Sequence, residues 1–243
     1  MDPRGKVALL TGGARIGQAV ARALAARGCA LALTYRRSRE AAESTVAMVR
    51  AAGVAAISLH ADASDNEQAA AAVKETVGSL GRLDILINMA SIYERNPEPS
   101  ADDWSRALDA NAKSAFVFAI HAAPLMKAAG AGRIVNIADW LPISGRPRYK
   151  GYLPYYTSKA AVAALTESLA LELAPQVLVN AIAPGPIRPP ADFTPEESAR
   201  VISATPLGRW GGAEEIAKAV LFLIETEFVT GECIRVDGGR HLY

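Results

Sequence analysis

The chain has 243 residues, enough to bury a large core as a single domain, 1–243. It carries 26 Lys and Arg against 25 Asp and Glu, a net charge of +1, which removes any global electrostatic case for nucleic acid or an anionic membrane as partner. Hydrophobic residues make up 51% but aromatics only 6%, and no stretch approaches the ~18 uninterrupted apolar residues of a membrane span.

Short β-branched apolar runs alternate with longer helical patterns. Lys6 to Thr11 reads as a buried strand, followed by a helix from Ile16 to Arg27. Cys29 to Tyr35 is the second strand and Arg39 to Ala52 the second helix. Ala55 to His60, Leu83 to Asn88, Arg133 to Ala138, Val177 to Ile182 and a short run at Cys233 to Val236 are the remaining strands. Helices are predicted over Asp65 to Leu80, Ala101 to Ala129, Tyr155 to Leu173 and Ala213 to Glu225. Seven strands alternating with helices require crossover connections, hence an α/β fold with a parallel sheet. Pro184 to Pro190 reads as a rigid turn into a mobile segment, about 185–206, with a short helix after the cap-like Thr194. The amino terminus lacks a signal-like apolar region, and Cys29 and Cys233 fall in apolar strand contexts. A soluble cytoplasmic protein with reduced thiols and no metal site is the expectation.

Thr11-Gly12-Gly13-Ala14-Arg15-Ile16-Gly17 joins the first strand to a helix start. Glycines there let backbone amides approach a pyrophosphate, and the helix amino terminus adds partial positive charge. Gly12, Arg15, Ile16 and Gly17 are therefore candidate cofactor contacts. The second strand ends Tyr35-Arg36-Arg37-Ser38, with no acidic residue until Glu40. A carboxylate at that point holds a ribose hydroxyl, whereas arginines accept a 2′-phosphate, which favours NADP(H). Asp62 reads either as acceptor for the adenine amine or as a turn aspartate.

Tyr155 and Lys159, in Tyr155-Tyr156-Thr157-Ser158-Lys159, share one helix face. An ammonium beside a phenol favours the phenolate and lowers its pKa, giving an acid–base group usable near neutrality. Asn111 lies midway along a predicted helix, where asparagine is a poor helix former.

Together these residues resemble the short-chain dehydrogenase/reductase family along essentially the whole chain. The shared marks include the glycine loop, Asp62, Asn88-Met89-Ala90-Ser91, Asn111, Tyr155 with Lys159, Asn180 to Gly185, and Val236-Asp237-Gly238-Gly239. The resemblance implies a Rossmann-type doubly wound seven-stranded parallel sheet with helices on both faces, a nicotinamide cofactor, and commonly a homotetramer. It adds Ala63, Asn88, Ala90, Pro184, Gly185 and Ile187 along the cofactor. It has Lys159 hold the nicotinamide ribose, Tyr155 deliver a proton, and Asn111 hold a water linking Lys159 to solvent. Within the family, Arg15, the Ala138-Asp139-Trp140 end of the fifth strand and the Gly239-Arg240-His241-Leu242 tail resemble the pteridine reductase branch, which includes dihydromonapterin reductases.

The chain departs from the family pattern in four places. The glycine loop is one residue shorter, and Met89 replaces an asparagine. Asp139 stands where most relatives carry a catalytic serine, and the stretch from Asp139 to Tyr155 is a few residues longer. Ser144 is a weaker candidate for that serine. A carboxylate repels a developing oxyanion unless protonated, but it can help relay a proton to an imine nitrogen. The reading is thus an NADPH-dependent reductase of a dihydropterin or dihydrofolate, with Asp139 and Tyr155 catalytic. Ser91 and Tyr93 either touch this substrate or merely pack in their loop, and Arg188 is a further candidate for substrate or phosphate. The alternatives are a carbonyl reductase such as a 3-oxoacyl-[acyl-carrier-protein] reductase, and a non-catalytic NADP(H)-sensing regulator. The short basic run Arg146, Arg148, Lys150 reads as a rim and not as a nucleic-acid site. The tail Arg240 is a candidate for reaching a neighbouring subunit's pocket.

Overall fold

The computed structural model describes residues 1–12, 16–145, 149–190 and 193–242. Seven strands form one parallel sheet: β1 (Val7–Thr11), β2 (Ala30–Tyr35), β3 (Ala56–His60), β4 (Ile85–Asn88), β5 (Gly132–Ile137), β6 (Val177–Pro184) and β7 (Cys233–Val236). Their spatial order is β3-β2-β1-β4-β5-β6-β7. The order reverses between β1 and β4, so a crevice opens there at the carboxyl ends of the strands.

Strand pleating divides the core between the two faces of the sheet. Ala8, Leu10, Ile85 and Ile87 pack on one side with α1 (Gly17–Ala25), α2 (Arg39–Ala51) and α9 (Ala213–Glu225). Leu9, Leu86 and Ile134 face the other side, against α3 (Asn66–Leu80), α5 (Ser114–Ala128) and α7 (Leu153–Leu173). β1 is buried at every position, as a strand covered on both faces must be.

Three elements differ from expectation. The helical stretch predicted over Ala101 to Ala129 holds α4 (Ala101–Leu108) and α5 joined by an unforeseen π-helical turn (Asp109–Lys113). A short helix, α6 (Trp140–Ile143), follows β5 directly, and four residues are too few to show a periodicity. α7 starts at Leu153, before Tyr155, because Pro154 suits a first helical turn and its absent N–H costs nothing there. The helix expected after Thr194 is present as α8 (Pro195–Ser203), closed by a reciprocal box in which Thr194 and Glu197 cap each other's backbone N–H. Among the described residues, no helix is long and apolar enough to cross a membrane, and no cluster of three or more metal-ligating side chains occurs.

Candidate active site

A cavity of about 940 Å³ follows the carboxyl edge of the sheet, from Gly12 and Ile16 past Tyr35, Arg36, Arg37 and Ser38 to Tyr155 and Lys159. Gly12 opens it with φ +67°, and a Cβ there would lie 3.0 Å from Ala90 Cα. Glycine is needed on both counts. The loop after β4 is tied down by Thr11, whose hydroxyl oxygen accepts from the N–H of Met89 (3.1 Å) and of Ala90 (3.2 Å). Met89, which stands in place of an asparagine, is buried in the apolar core with α1. Arg15 lies outside the described residues, as do Arg146 and Arg148.

At the β2 end, Arg36 Nη1 pairs with Asp62 Oδ2 at 3.1 Å. Asp62 Oδ1 accepts from the Ser64 N–H (3.0 Å) and hydroxyl (2.8 Å). Partial burial works against the Asp62 charge, but Ser64 and Arg36 outweigh it and hold the carboxyl below its usual range. The bonds from Ser64 are those of a turn aspartate, and the contact with Arg36 is added to that reading. Ala63, Ala90, Pro184, Gly185 and Ile187 line the cavity together with Ser91 and Arg188. A Cβ on Gly185 would come within 2.6 Å of Asp237 Cα, so only glycine lets the end of β6 pass the tail.

At the other end, the Tyr155 hydroxyl donates to Asp139 Oδ2 at 2.7 Å. Asp139 Oδ1 accepts from the Leu141 N–H at 2.8 Å, so the start of α6 fixes the carboxylate. The longer segment that follows therefore leaves Asp139 against Tyr155. Lys159, 2% exposed, donates to the Ile137 carbonyl at 2.7 Å. Burial lowers its pKa to about 8, with Asp139 partly offsetting the effect. Burial likewise pushes the Asp139 carboxyl up, against the Leu141 N–H, the Tyr155 hydroxyl and the Lys159 charge. The expected lowering of the Tyr155 pKa is reversed. Burial and then the neighbouring Asp139 charge hold the phenol well above its ordinary value. An anion, and not the ammonium, is the charged group in contact with its hydroxyl.

Tyr93 stacks on Tyr152 (centroids 5.0 Å apart) and meets Tyr155 edge-on at 4.8 Å. Burial and a hydrogen bond with Tyr152 raise its pKa. Tyr152, Trp140, Tyr149, Phe193 and Trp210 complete an aromatic wall that sequence reasoning missed. The signal available was Tyr152 three residues before Tyr155, at the cap position just ahead of α7.

Several predicted residues lie elsewhere. Asn111, 2% exposed, sits in the π turn, where its Oδ1 accepts from the Ile92 N–H (2.7 Å). Its Nδ2 donates to the Ile92 carbonyl (3.2 Å) and the Ser158 hydroxyl (2.8 Å). Both amide protons are thus spent on protein groups, and the side chain clamps the Tyr93 loop. Asn88 is buried below the cavity, donating to Asn136 Oδ1 at 2.8 Å, and Asn136 in turn donates to Thr166 at 2.9 Å. That ladder joins β4, β5 and α7. Gly17 is buried in α1 and, like Asn88, does not line the cavity. The Ser144 hydroxyl donates to the Leu141 carbonyl at 2.7 Å, which removes it as a stand-in for the missing serine. Within the chain, the Arg240 guanidinium lies 5.8 Å from the Trp140 ring centroid and 3.2 Å from the Tyr149 hydroxyl.

A family model described as Enoyl-(Acyl carrier protein) reductase matches residues 13–241. The 3-oxoacyl-[acyl-carrier-protein] reductase FabG of Staphylococcus aureus is 35% identical over 247 aligned positions, covering 98% of either chain. An uncharacterized oxidoreductase of Thermotoga maritima is 38% identical, again with 98% of both chains covered. Among solved structures, a short-chain dehydrogenase/reductase from Serratia marcescens superposes with a TM-score of 0.91 at 33% identity, covering 99% of this chain and 100% of its own. A blue fluorescent protein from a metagenomic library, in complex with NADPH, gives 0.89 at 34% identity with 99% of each chain covered. With the parallel sheet, the cavity at its switch point and the Tyr155–Lys159 pair already in place, the chain belongs to the short-chain dehydrogenase/reductase family of NAD(P)(H)-dependent oxidoreductases.

Proposed function

We propose that the protein is an NADPH-dependent reductase acting on the C=N bond of a flat nitrogen heterocycle, of which a dihydropterin is the type. The observation that carries this reading is the 2.7 Å hydrogen bond from Tyr155 to Asp139, a carboxylate that burial pushes towards its protonated form.

The residues along the cavity suit the cofactor. Arg36, Arg37 and Ser38 offer two cations and a hydroxyl to a 2′-phosphate at one end, and Tyr155 and Lys159 line the other. When bound, reduced nicotinamide supplies a hydride. Tyr155 donates its proton to the substrate nitrogen, and Asp139, when protonated, returns a proton to Tyr155 along their shared hydrogen bond. Lys159 places a positive charge beside the pair as the proton leaves. The aromatic wall of Tyr93 and Tyr152 gives a planar ring something to stack against.

Carbonyl reduction is the second reading. The relatives support it better than the pterin reading, since the Staphylococcus aureus protein described above is named a 3-oxoacyl-[acyl-carrier-protein] reductase. Asp139 weighs against it only when ionised, because a carboxylate anion beside an oxyanion costs transition-state stability, whereas the protonated form used by the heterocycle reading would donate to that oxyanion.

The deciding measurement is NADPH oxidation with dihydrobiopterin and with acetoacetyl-CoA in parallel, Tyr155→Phe serving as the blank. Turnover of the pterin alone, reduced by Asp139→Ser, is the expected outcome. Turnover of the thioester alone would sink the heterocycle reading and leave a carbonyl reductase. In either case Tyr155→Phe should lower kcat by at least about 100-fold while leaving NADPH affinity within a few-fold.

A further inference from the structure

α8 borders the cavity through Val201, yet it buries none of its residues fully. Its inward face is Ser198, Val201 and Ile202, half-buried at i, i+3 and i+4, while its other residues are exposed. Past its carboxyl end the chain is tied down. The buried Thr205 hydroxyl donates to the Val201 carbonyl at 2.7 Å, and the Leu207 N–H donates to the Gly238 carbonyl at 3.1 Å. The first half of the helix is held by Trp210, whose indole N–H donates to the Ser198 hydroxyl oxygen at 2.9 Å. The same ring meets Phe193 edge-on, with centroids 6.3 Å apart.

Trp210 stands on a fixed backbone. The N–H groups of Gly211 and Gly212 donate to the Pro186 and Ile187 carbonyls, just past β6, at 2.8 and 2.9 Å. Arg209 Nη1 folds back onto the Trp210 and Gly211 carbonyls at 3.0 and 2.8 Å. A helix with so little apolar burial docks weakly, so one well-formed hydrogen bond is a large part of what holds it. The bond also accounts for the serine. Beside Val201 and Ile202 burial would favour an apolar side chain, but an indole N–H needs an acceptor and Ser198 supplies one. We propose that Trp210 is a positioning residue for substrate binding: through Ser198 it fixes α8, and with it the Phe193 and Val201 side of the cavity wall. The inference holds for a C=N and for a C=O substrate alike.

The test combines amide hydrogen exchange of the NADPH complex, read by mass spectrometry, with steady-state kinetics. Ser198→Ala and Trp210→Phe, which each delete the bond, should speed exchange across Pro195–Ser203 about fivefold while the sheet keeps wild-type rates. The double variant should exchange no faster than either single one, because both remove the same interaction. Ser198→Thr keeps the acceptor and should restore wild-type exchange. With whichever of dihydrobiopterin and acetoacetyl-CoA is turned over, Ser198→Ala should raise KM about threefold and change kcat by less than about twofold. Wild-type exchange in both single variants would overturn the proposal, as would additive effects in the double variant or faster exchange spread over the whole chain. Faster exchange in α8 with an unchanged KM would overturn it too, by showing that the placement of α8 does not bear on substrate. If neither compound is turned over, the function proposed above fails, a result distinct from these, and the exchange rates alone decide the role of Trp210.

Discussion

Asp139 takes a hydrogen bond on each oxygen, from the Leu141 N–H and the Tyr155 hydroxyl, and its charge bears on Tyr93, Tyr155 and Lys159. It raises the Tyr155 pKa and partly restores that of Lys159. Lys159 supplies a pH test with a definite sign. Its folded pKa, about 8, lies below its ordinary 10.5, so the folded state sheds this proton first. Below pH 8 the full cost of burying the ammonium is present. As pH rises from 8 to 10.5 the unfolded chain holds more protons and the cost fades. Buried thiols act in the opposite sense above pH 9, since Cys29 and Cys233 are both pushed up to about 12. The difference between wild type and Lys159→Met isolates the lysine from them. Urea unfolding should show that difference moving in favour of wild type, by on the order of 2–3 kcal/mol, between pH 7 and pH 10. A difference independent of pH would mean that the ammonium pays no burial cost.

Among the elements, the π turn at Asp109–Lys113 has the most consequence for the site. The extra residue in its turn directs Asn111 across to Ile92 and Ser158, joining the loop after β4 to α7. Tyr93 is the next residue after Ile92, so the clamp also holds the aromatic wall. Asn111→Ala removes three hydrogen bonds and leaves the partly buried Ile92 N–H and carbonyl without these partners. A loss of about 2 kcal/mol is expected, roughly 4–8 °C in Tm for a chain of this size. The KM for substrate should rise with it as Tyr93 loosens. Unchanged thermal stability together with unchanged KM would show that water replaces the clamp at no cost. This turn was not legible in the sequence. One inserted residue barely disturbs a helical apolar period, and Asn111 stood out only as a poor helix former. α8 is the contrasting case: its Thr194 and Glu197 box is a local pattern, and local patterns can be read along the chain.

At the scale of the whole molecule, one sheet separates two apolar cores, and side chains alternate between them along each strand. Phe118, fully buried on α5, fills the second core against the sheet. Phe118→Ala should cost about 4 kcal/mol and lower Tm by roughly 10 °C. Because the two cores share their strands, circular dichroism and tryptophan fluorescence should report coincident transitions in the variant. Separate transitions would show that the faces unfold independently.

The sequence by itself determined the order of strands and helices, the parallel sheet and the family. Strands buried on both faces read as unbroken apolar runs, and the glycine turn, Tyr155 and Lys159 lie at spacings set by local geometry. It also placed Asp139 as the residue that departs from the common pattern. Only the tertiary structure decided that the Tyr155 pKa moves up and not down, that Asp62 holds Arg36, and that Asn88 and Asn111 brace the site from beneath. Each of these depends on burial and on distances between residues far apart in the chain, and electrostatic and hydrogen-bond energies change steeply with both.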